Sequence, residues 1–440
     1  MAARPARTPC TSRAQWRARD VRRRFICTPD RIHDPRRRRT RPSRGAGWLT
    51  VRVLFLAHAY PRHDADPVGS FVGNLAVALR DRDVDVTVSA PSAAGLAPFE
   101  HVNGIPVHRF RYAPDRYETL AYTGTMGAQV RETLSGKAAM LSYLVAAFRA
   151  ARSLARRERF DLVHAHWWFP GGLVASGLAR TAHLPFVTTL HGSDLRLATT
   201  FPFGRTLFQR VSGDARAMTA VSSWLARGAE ELAPDRRVTV APMPVLTDLF
   251  HPGEAREADL MLFVGKLTAQ KGLARLLRAM TRMHRRARLA VVGTGRVDDA
   301  GLRTLARELG LEERIEWLPL LTQPELAAQY RRAALHVVPA LDEGLGLTAV
   351  ESLLSETPVV GFRSGGLPDI VLEGVAGRLV EAGDEPALAE ALDAILADHD
   401  TRRAMGVAGR AHAMQRFGAA AASERYAQLY RRVVREAAQH

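Results

Sequence analysis

The sequence predicts an α/β protein made of two doubly wound units, each a largely parallel sheet with helices on both faces. Three observations predict it. At 440 residues the chain exceeds what one hydrophobic core ordinarily organises. From Val51 onward, short apolar runs alternate with segments of helical period, the pattern of strand–helix–strand crossovers. The alternation pauses at Pro242 to Gly253, where Pro242, Pro244 and Pro252 read as a linker, and then begins again. The expected division is a tail at 1–50, a first unit at 51–245, a second at 246–419 and a last helix at 420–440.

The net charge of +17 suggests a nucleic-acid partner until it is divided by region. Residues 1–50 hold 15 Arg, no Lys and three Asp, giving +12; residues 51–250 hold 22 basic and 17 acidic residues, giving +5; the remainder is neutral. Most of the excess thus belongs to the tail, and no nucleic-acid partner is expected for the body, which lacks basic patches interleaved with aromatics. Residues 1–48 are rich in Arg, Pro, Ala and Thr, include the run Arg36 to Arg39, and have no strand or helix period. A basic tail touching anionic membrane or nucleic acid, a cleaved transit peptide and a start site placed too far upstream all fit. The last is the expectation, because the first foldable element begins at Val51 and a valine codon often serves as a bacterial start. Cys10 and Cys27 both lie in the tail, so no disulfide or thiolate metal site is available to the body. A cytoplasmic body needing no metal or other cofactor is expected. No run of about 18 apolar residues appears, so no membrane-spanning helix is expected.

In the first unit, Val51 to Ala57 reads as a buried strand, followed by a loop His58 to Ser70 and a helix Phe71 to Leu79. Gly69 stands at that helix entrance, where a backbone N–H can meet a phosphate. Asp64-Ala65-Asp66 and Asp83-Val84-Asp85 match an Asp-x-Asp metal pattern, but a polar loop before Pro67 and the turn entering a strand are the favoured explanations. Val84 to Ala90 and Val107 to Phe110 continue the sheet. Lys137 to Phe160 has a helical period and gathers Arg149, Arg152, Arg156, Arg157 and Arg159, either a solvated face or a surface for anionic lipid. Asp161 to Ala165 is the next strand and runs into His166, Trp167 and Trp168. His164 and His166 have no third ligand nearby, so a metal site is not expected. Pro185 to Leu190 is a strand that opens directly into His191-Gly192-Ser193-Asp194, placing His191 in the crevice beyond the strand ends. Adjacent residues cannot form a hydrolytic relay, and no Gly-x-Ser-x-Gly elbow is present. Ala217 to Val221, a helix Ser223 to Leu232, and Val238 to Ala241 close the unit.

The second unit begins with the strand Leu260 to Val264, followed by Gly265-Lys266-Leu267 and then Lys271-Gly272 before a helix Leu273 to Met283. Lys271 at the loop-to-helix junction can neutralise a diphosphate. Leu289 to Val292 leads to the tight turn Gly293-Thr294-Gly295, and Ile315 to Leu318 follows. The central stretch is Leu335 to Leu354: a strand, the loop Pro339 to Gly346, then a helix from Leu347. Gly344 and Gly346 let backbone approach a ligand, and the helix start favours an anion. Glu343 and Glu351 bracket the loop and would repel phosphate, so they are better placed to accept hydrogen bonds from sugar hydroxyls. Pro358 to Gly361 and Gly377 to Val380 complete the sheet.

Taken together, the N-terminal loop, His191, the Gly-Lys-Leu and Lys-Gly block, Gly293-Thr-Gly and Glu343 to Glu351 resemble the Glu-x7-Glu pattern of retaining nucleotide-sugar glycosyltransferases of family four, over roughly residues 51–440. The resemblance implies the GT-B fold: two Rossmann-like domains with a donor cleft between them and a last helix, about Ala420 to Ala437, crossing back to the first. It implies that Lys271, assisted by Lys266, holds the donor diphosphate and that Glu351 binds the ribose. Glu343 and the backbone of Gly344, Leu345, Gly346 and Leu347 would meet the sugar and phosphate, His191 would orient the sugar, and Gly69, Gly265, Gly293 and Gly295 would line the donor. The acceptor would be a glycan, a lipid-linked compound or a small molecule, met by the loops His58 to Ser70 and Tyr112 to Gly127. Lys266 stands where the family usually has Arg, keeping the charge without the bidentate fork. A nucleotide-sugar epimerase on the same fold and a non-catalytic basic binding protein are the alternatives.

Overall fold

The computed structural model describes residues 50–439, apart from 125, 254–255 and 295–298. The first half runs β1 (Val51–Leu56), α1 (Ser70–Leu79), β2 (Val84–Pro91), β3 (Phe99–Val102), β4 (Ile105–Phe110), α2 (Met126–Glu132), α3 (Leu134–Arg157), β5 (Leu162–His166), α4 (Leu173–Ala182), β6 (Phe186–Leu190), α5 (Ser193–Thr200), α6 (Gly204–Asp214), β7 (Ala217–Ala220), α7 (Ser223–Leu232) and β8 (Val238–Val240). Its strands lie in the order β3-β4-β2-β1-β5-β6-β7-β8. All neighbours are parallel except β3 and β4. β1 is buried at every position but Arg52, as a strand covered on both faces requires.

The second half runs β9 (Glu257–Lys266), α8 (Leu273–Arg282), β10 (Arg288–Thr294), α9 (Asp299–Glu308), β11 (Ile315–Leu318), α10 (Gln323–Arg332), β12 (Ala333–Val338), α11 (Leu347–Leu354), β13 (Val359–Phe362), β14 (Gly377–Val380), α12 (Glu385–Ala397), α13 (His399–Phe417) and α14 (Ala419–Ala437). Its six parallel strands are ordered β11-β10-β9-β12-β13-β14.

Two local features differ from the sequence reading. Asn103 and Gly104 both take positive φ, 50° and 73°, which is what a tight hairpin turn demands, and they fold the short strand β3 back on β4. The α3 helix begins at Leu134 instead of Lys137, because the Thr133 side chain caps it by accepting the Gly136 N–H at 2.9 Å.

The proline-rich segment after β8 is no loose tether. Met243, Val245 and Phe250 are buried, and the Val245 N–H donates to the Phe417 carbonyl at 3.1 Å. The final helix α14 lies on the first sheet. Its fully buried Tyr430 hydroxyl is 2.6 Å from His164 Nδ1, and the Tyr426 hydroxyl donates to the Ala241 carbonyl at 2.9 Å. One apolar cluster runs from the first sheet into one face of the second, and another fills the opposite face of the second sheet under α8 and α12. Among the described residues no helix is long and apolar enough to cross a membrane.

Candidate active site

Ligands of open α/β sheets bind beyond the carboxyl ends of the strands, and both halves put their polar loops there. In the first sheet β6 ends at Leu190 and His191 follows at once. His191 Nε2 lies 3.2 Å from His166 Nδ1. The His191 ring packs against Trp167, with centroids 4.5 Å apart, and against Phe71 at 5.1 Å. Trp167 in turn covers His58 at 4.0 Å. Burial foremost, and neighbouring imidazoles after it, hold His191 and His166 well below the ordinary histidine range. Both rings are therefore neutral near pH 7 and act by hydrogen bonding instead of by charge.

Asp194 shapes this loop. Its Oδ1 accepts the N–H groups of His191 at 3.1 Å and Gly192 at 2.9 Å, and Oδ2 accepts that of Trp168 at 3.3 Å. Burial lifts its carboxyl to about 6. Asp66 plays a similar part in the loop after β1, accepting the backbone N–H of Arg62 at 3.0 Å and of Val68 at 3.1 Å as well as the Arg62 guanidinium. Asp64 accepts the Asn103 N–H at 2.7 Å. Both aspartates thus have partners that explain them as loop-formers.

In the second sheet, Lys271 occupies a single tight turn, Ala269–Lys271, between β9 and α8. The next residue, Gly272, has φ of 77° and backs so closely onto the Pro339 carbonyl that no Cβ fits. This contact fixes where α8 starts and so where Lys271 stands. The Lys271 stem passes over Gly265, and its ammonium forms an ion pair with Glu343. The sequence reading gave these two residues to separate parts of a donor; here they are partners of each other, as opposite charges at one partly buried point favour. Glu351 lies in the second turn of α11 and accepts a hydrogen bond from the Tyr330 hydroxyl at 3.0 Å. Burial lifts the Glu351 carboxyl to about 7.

The two loops touch across the cleft. A Cβ on Gly344 would stand 2.6 Å from the His191 carbonyl oxygen, so any side chain there would push the loops apart. The Ser222 hydroxyl donates to the Gly344 carbonyl at 2.6 Å, while the Ser223 N–H and hydroxyl donate to Asp369 at 2.5 and 2.7 Å. His191, Glu343, Gly344 and Lys271 are thereby gathered at one place.

The remaining predicted residues are distributed around it. Leu345 is buried, Gly346 precedes the first turn of α11, and Leu347 begins that helix. Gly265 and Lys266 end β9, and the exposed Lys266 extends its ammonium toward Gly124 of the first half. Gly293 lies against Leu267 near the end of β10, and Gly69 opens α1 against the backbone of Ala59 and Tyr60. Gly295 lies outside the described residues. Sequence reasoning missed Asp194 as a scaffold and the Ser222, Ser223 and Asp369 set that ties the halves together. A strand followed by Ser-Ser and a helical run is a helix-capping signal, and Ser222 does cap α7.

Comparison with known proteins agrees with this arrangement. Residues 68–249 match the family model described as Glycosyltransferase Family 4, and residues 247–412 match that of Glycosyl transferases group 1. A D-inositol 3-phosphate glycosyltransferase of Thermobispora bispora is 31% identical over 400 residues, 83% of this chain and 90% of that protein. Among solved structures, sucrose-phosphate synthase of Thermosynechococcus elongatus superposes with a TM-score of 0.73 at 20% identity, over 88% of this chain and all of the other. The Anabaena HepE protein in complex with UDP-glucose gives 0.66 at 18% identity, over 87% of this chain and 99% of that one. Two facing parallel sheets with these loops at their cleft define a GT-B glycosyltransferase. The chain belongs to the group 1, family 4 glycosyltransferases and is an enzyme of that class.

Proposed function

We propose that the enzyme is a retaining glycosyltransferase that moves a sugar from a nucleoside-diphosphate sugar to a hydroxyl of a glycan, lipid or small-molecule acceptor. The observation that carries this reading is the contact between the His191–Gly192 loop and the Glu343–Gly344 loop, with Lys271 at its edge. A sugar seated there has a neutral imidazole on one side and a cation with a helix start on the other. Lys271 and Lys266 then take the diphosphate, with a further phosphate contact from Gly69. Glu351 takes the ribose, and Glu343 with the Gly344–Leu347 backbone takes the sugar and its phosphate.

The bond between the anomeric carbon and the phosphate oxygen breaks, leaving an oxocarbenium-like centre. The acceptor oxygen attacks on the same face, and the departing phosphate removes its proton. The chain's part is positioning and charge stabilisation of the leaving group, a role the lysines fill without a metal or other cofactor being assigned.

The test is turnover with UDP-, GDP- and ADP-sugars and a panel of acceptors, with no added metal. UDP-sugars head the first panel because of the UDP-glucose in the Anabaena structure, and D-inositol 3-phosphate heads the second because it stands in the relatives' names. The expected result is selective use of one donor and a product that keeps the donor's anomeric configuration by NMR. An inverted product would reject the retaining course. Conversion of the donor to an epimer without acceptor would favour an epimerase on this fold.

A further inference from the structure

We infer that the outer face of α3 is a docking surface for an anionic membrane. The helix has 24 residues, and no acidic residue lies between its cap Thr133 and its last residue Arg157. Its inner side, Met140, Tyr143, Ala147, Ala151 and Leu154, is buried against the first sheet. Its outer side is not what a solvated helix shows. Leu134 is 83% exposed, Leu141 66% and Val145 42%.

These three residues and Arg149, Arg152 and Arg156 follow at intervals of seven, four, four, three and four, so they form one stripe along the helix. Apolar residues occupy its first half and guanidinium groups its second, with Lys137 beside the leucines. Arg149, Arg156 and Arg157 are exposed, and among the described residues none of them is in an ion pair. An anionic bilayer matches both halves: the leucines enter the boundary below the headgroups while the arginines meet lipid phosphates. The first 48 residues of the chain are an unsuitable cover, because they carry the same sign of charge. A duplex nucleic acid would suit the arginines and leave the leucines in water.

The position has a functional sense. A helix that precedes a parallel strand begins at the strands' carboxyl edge, so Leu134 lies at the cleft edge of the first sheet. The inner residues Tyr143 and Ala147 line a small hollow shared with His58 and Ser89, whose Nδ1 and Oγ have no hydrogen-bond partner among the described residues. The surface offered to lipid and the acceptor side of the cleft are two faces of one helix.

Because the net positive charge of the Arg-rich first 48 residues is by itself enough to draw the chain toward anionic vesicles, the experiment reads α3 directly. The full chain carries Cys10→Ser and Cys27→Ser, with an environment-sensitive fluorophore on Val145→Cys or, as a control, on Val407→Cys, which is also exposed but lies on α13. Each is mixed with phosphatidylcholine vesicles, with vesicles containing about a third phosphatidylglycerol, and with duplex DNA. The expected result is a several-fold emission increase at 145 with anionic vesicles only, none at 407, and its loss when Leu141→Ser, Arg149→Gln and Arg156→Gln are combined. The thermal midpoint of that triple variant should match the parent. An unchanged signal at 145 while the protein sediments with vesicles would assign binding to the tail and overturn the inference. So would an equal response to uncharged vesicles, or a response to DNA alone.

Discussion

At the scale of single residues, the Lys271–Glu343 pair makes the clearest demand on experiment. A diphosphate that binds Lys271 competes with Glu343 for it, whereas the sugar is to gain Glu343 as an acceptor. Lys271→Ala should therefore weaken donor binding by roughly 30- to 100-fold, the value of a charge-assisted contact. Glu343→Gln should do the opposite to free nucleoside diphosphate, tightening it about threefold by removing a competitor, while lowering turnover. Calorimetric titration with UDP and with the donor separates the two effects, and equal losses in both ligands would reject the competition. Glu351 supplies a second prediction. Its carboxyl is held to about 7 by burial and must be ionised to accept ribose hydroxyls freely, so donor affinity should rise as pH increases through 7 and be flat in Glu351→Gln. The placement of His191, Lys271 and Glu343 beyond strand ends was legible in the sequence because each follows an apolar run, and that of Glu351 because it falls inside the helix that follows. Asp369 was not, because its partner Ser223 is 146 positions away and no local pattern records a contact between separate loops.

Elements were legible wherever a strand is buried on both faces, since β1 and β12 are nearly continuous apolar runs. The edge strand β3 was not: its Phe-Glu-His-Val is short and only one residue is buried, and the Asn103-Gly104 turn was its sole sequence signal. The start of α3 was displaced because the cap Thr133 lies just ahead of Leu134, which is apolar but faces outward. The role of α14 rests on hydroxyls that helical period cannot reveal. Tyr430→Phe leaves a buried His164 nitrogen without its partner and should cost about 1–3 kcal/mol in urea unfolding. Tyr117→Phe, at a site 55% exposed, should cost nothing measurable, and equal losses in the two would refute this role for the hydroxyl.

For the molecule as a whole, buried imidazoles predict acid sensitivity. Burial holds His58 to about 4 and His336 to about 3, and keeps His164, His166 and His191 well below the usual range. Unfolded histidines take up protons near pH 6.5, so the stability that these groups contribute is complete above that pH and is lost as pH falls through it. Glu351, held to about 7, and Asp194, at about 6, work in the opposite sense over part of this range, two groups against five. The thermal midpoint should fall between pH 7.5 and 5, less steeply in His336→Leu, which removes an imidazole with neither nitrogen hydrogen-bonded. A midpoint that rises on acidification would show that the carboxyls prevail. Val245 and Gly418 pair with each other as a parallel bridge. The chain passes between its halves at both of these points, and they lie side by side. What looks like two tethers is one hinge line, so a motion that parts His191 from Gly344 has a single axis to turn about, and the chain's return to the first sheet stiffens that axis without locking the door.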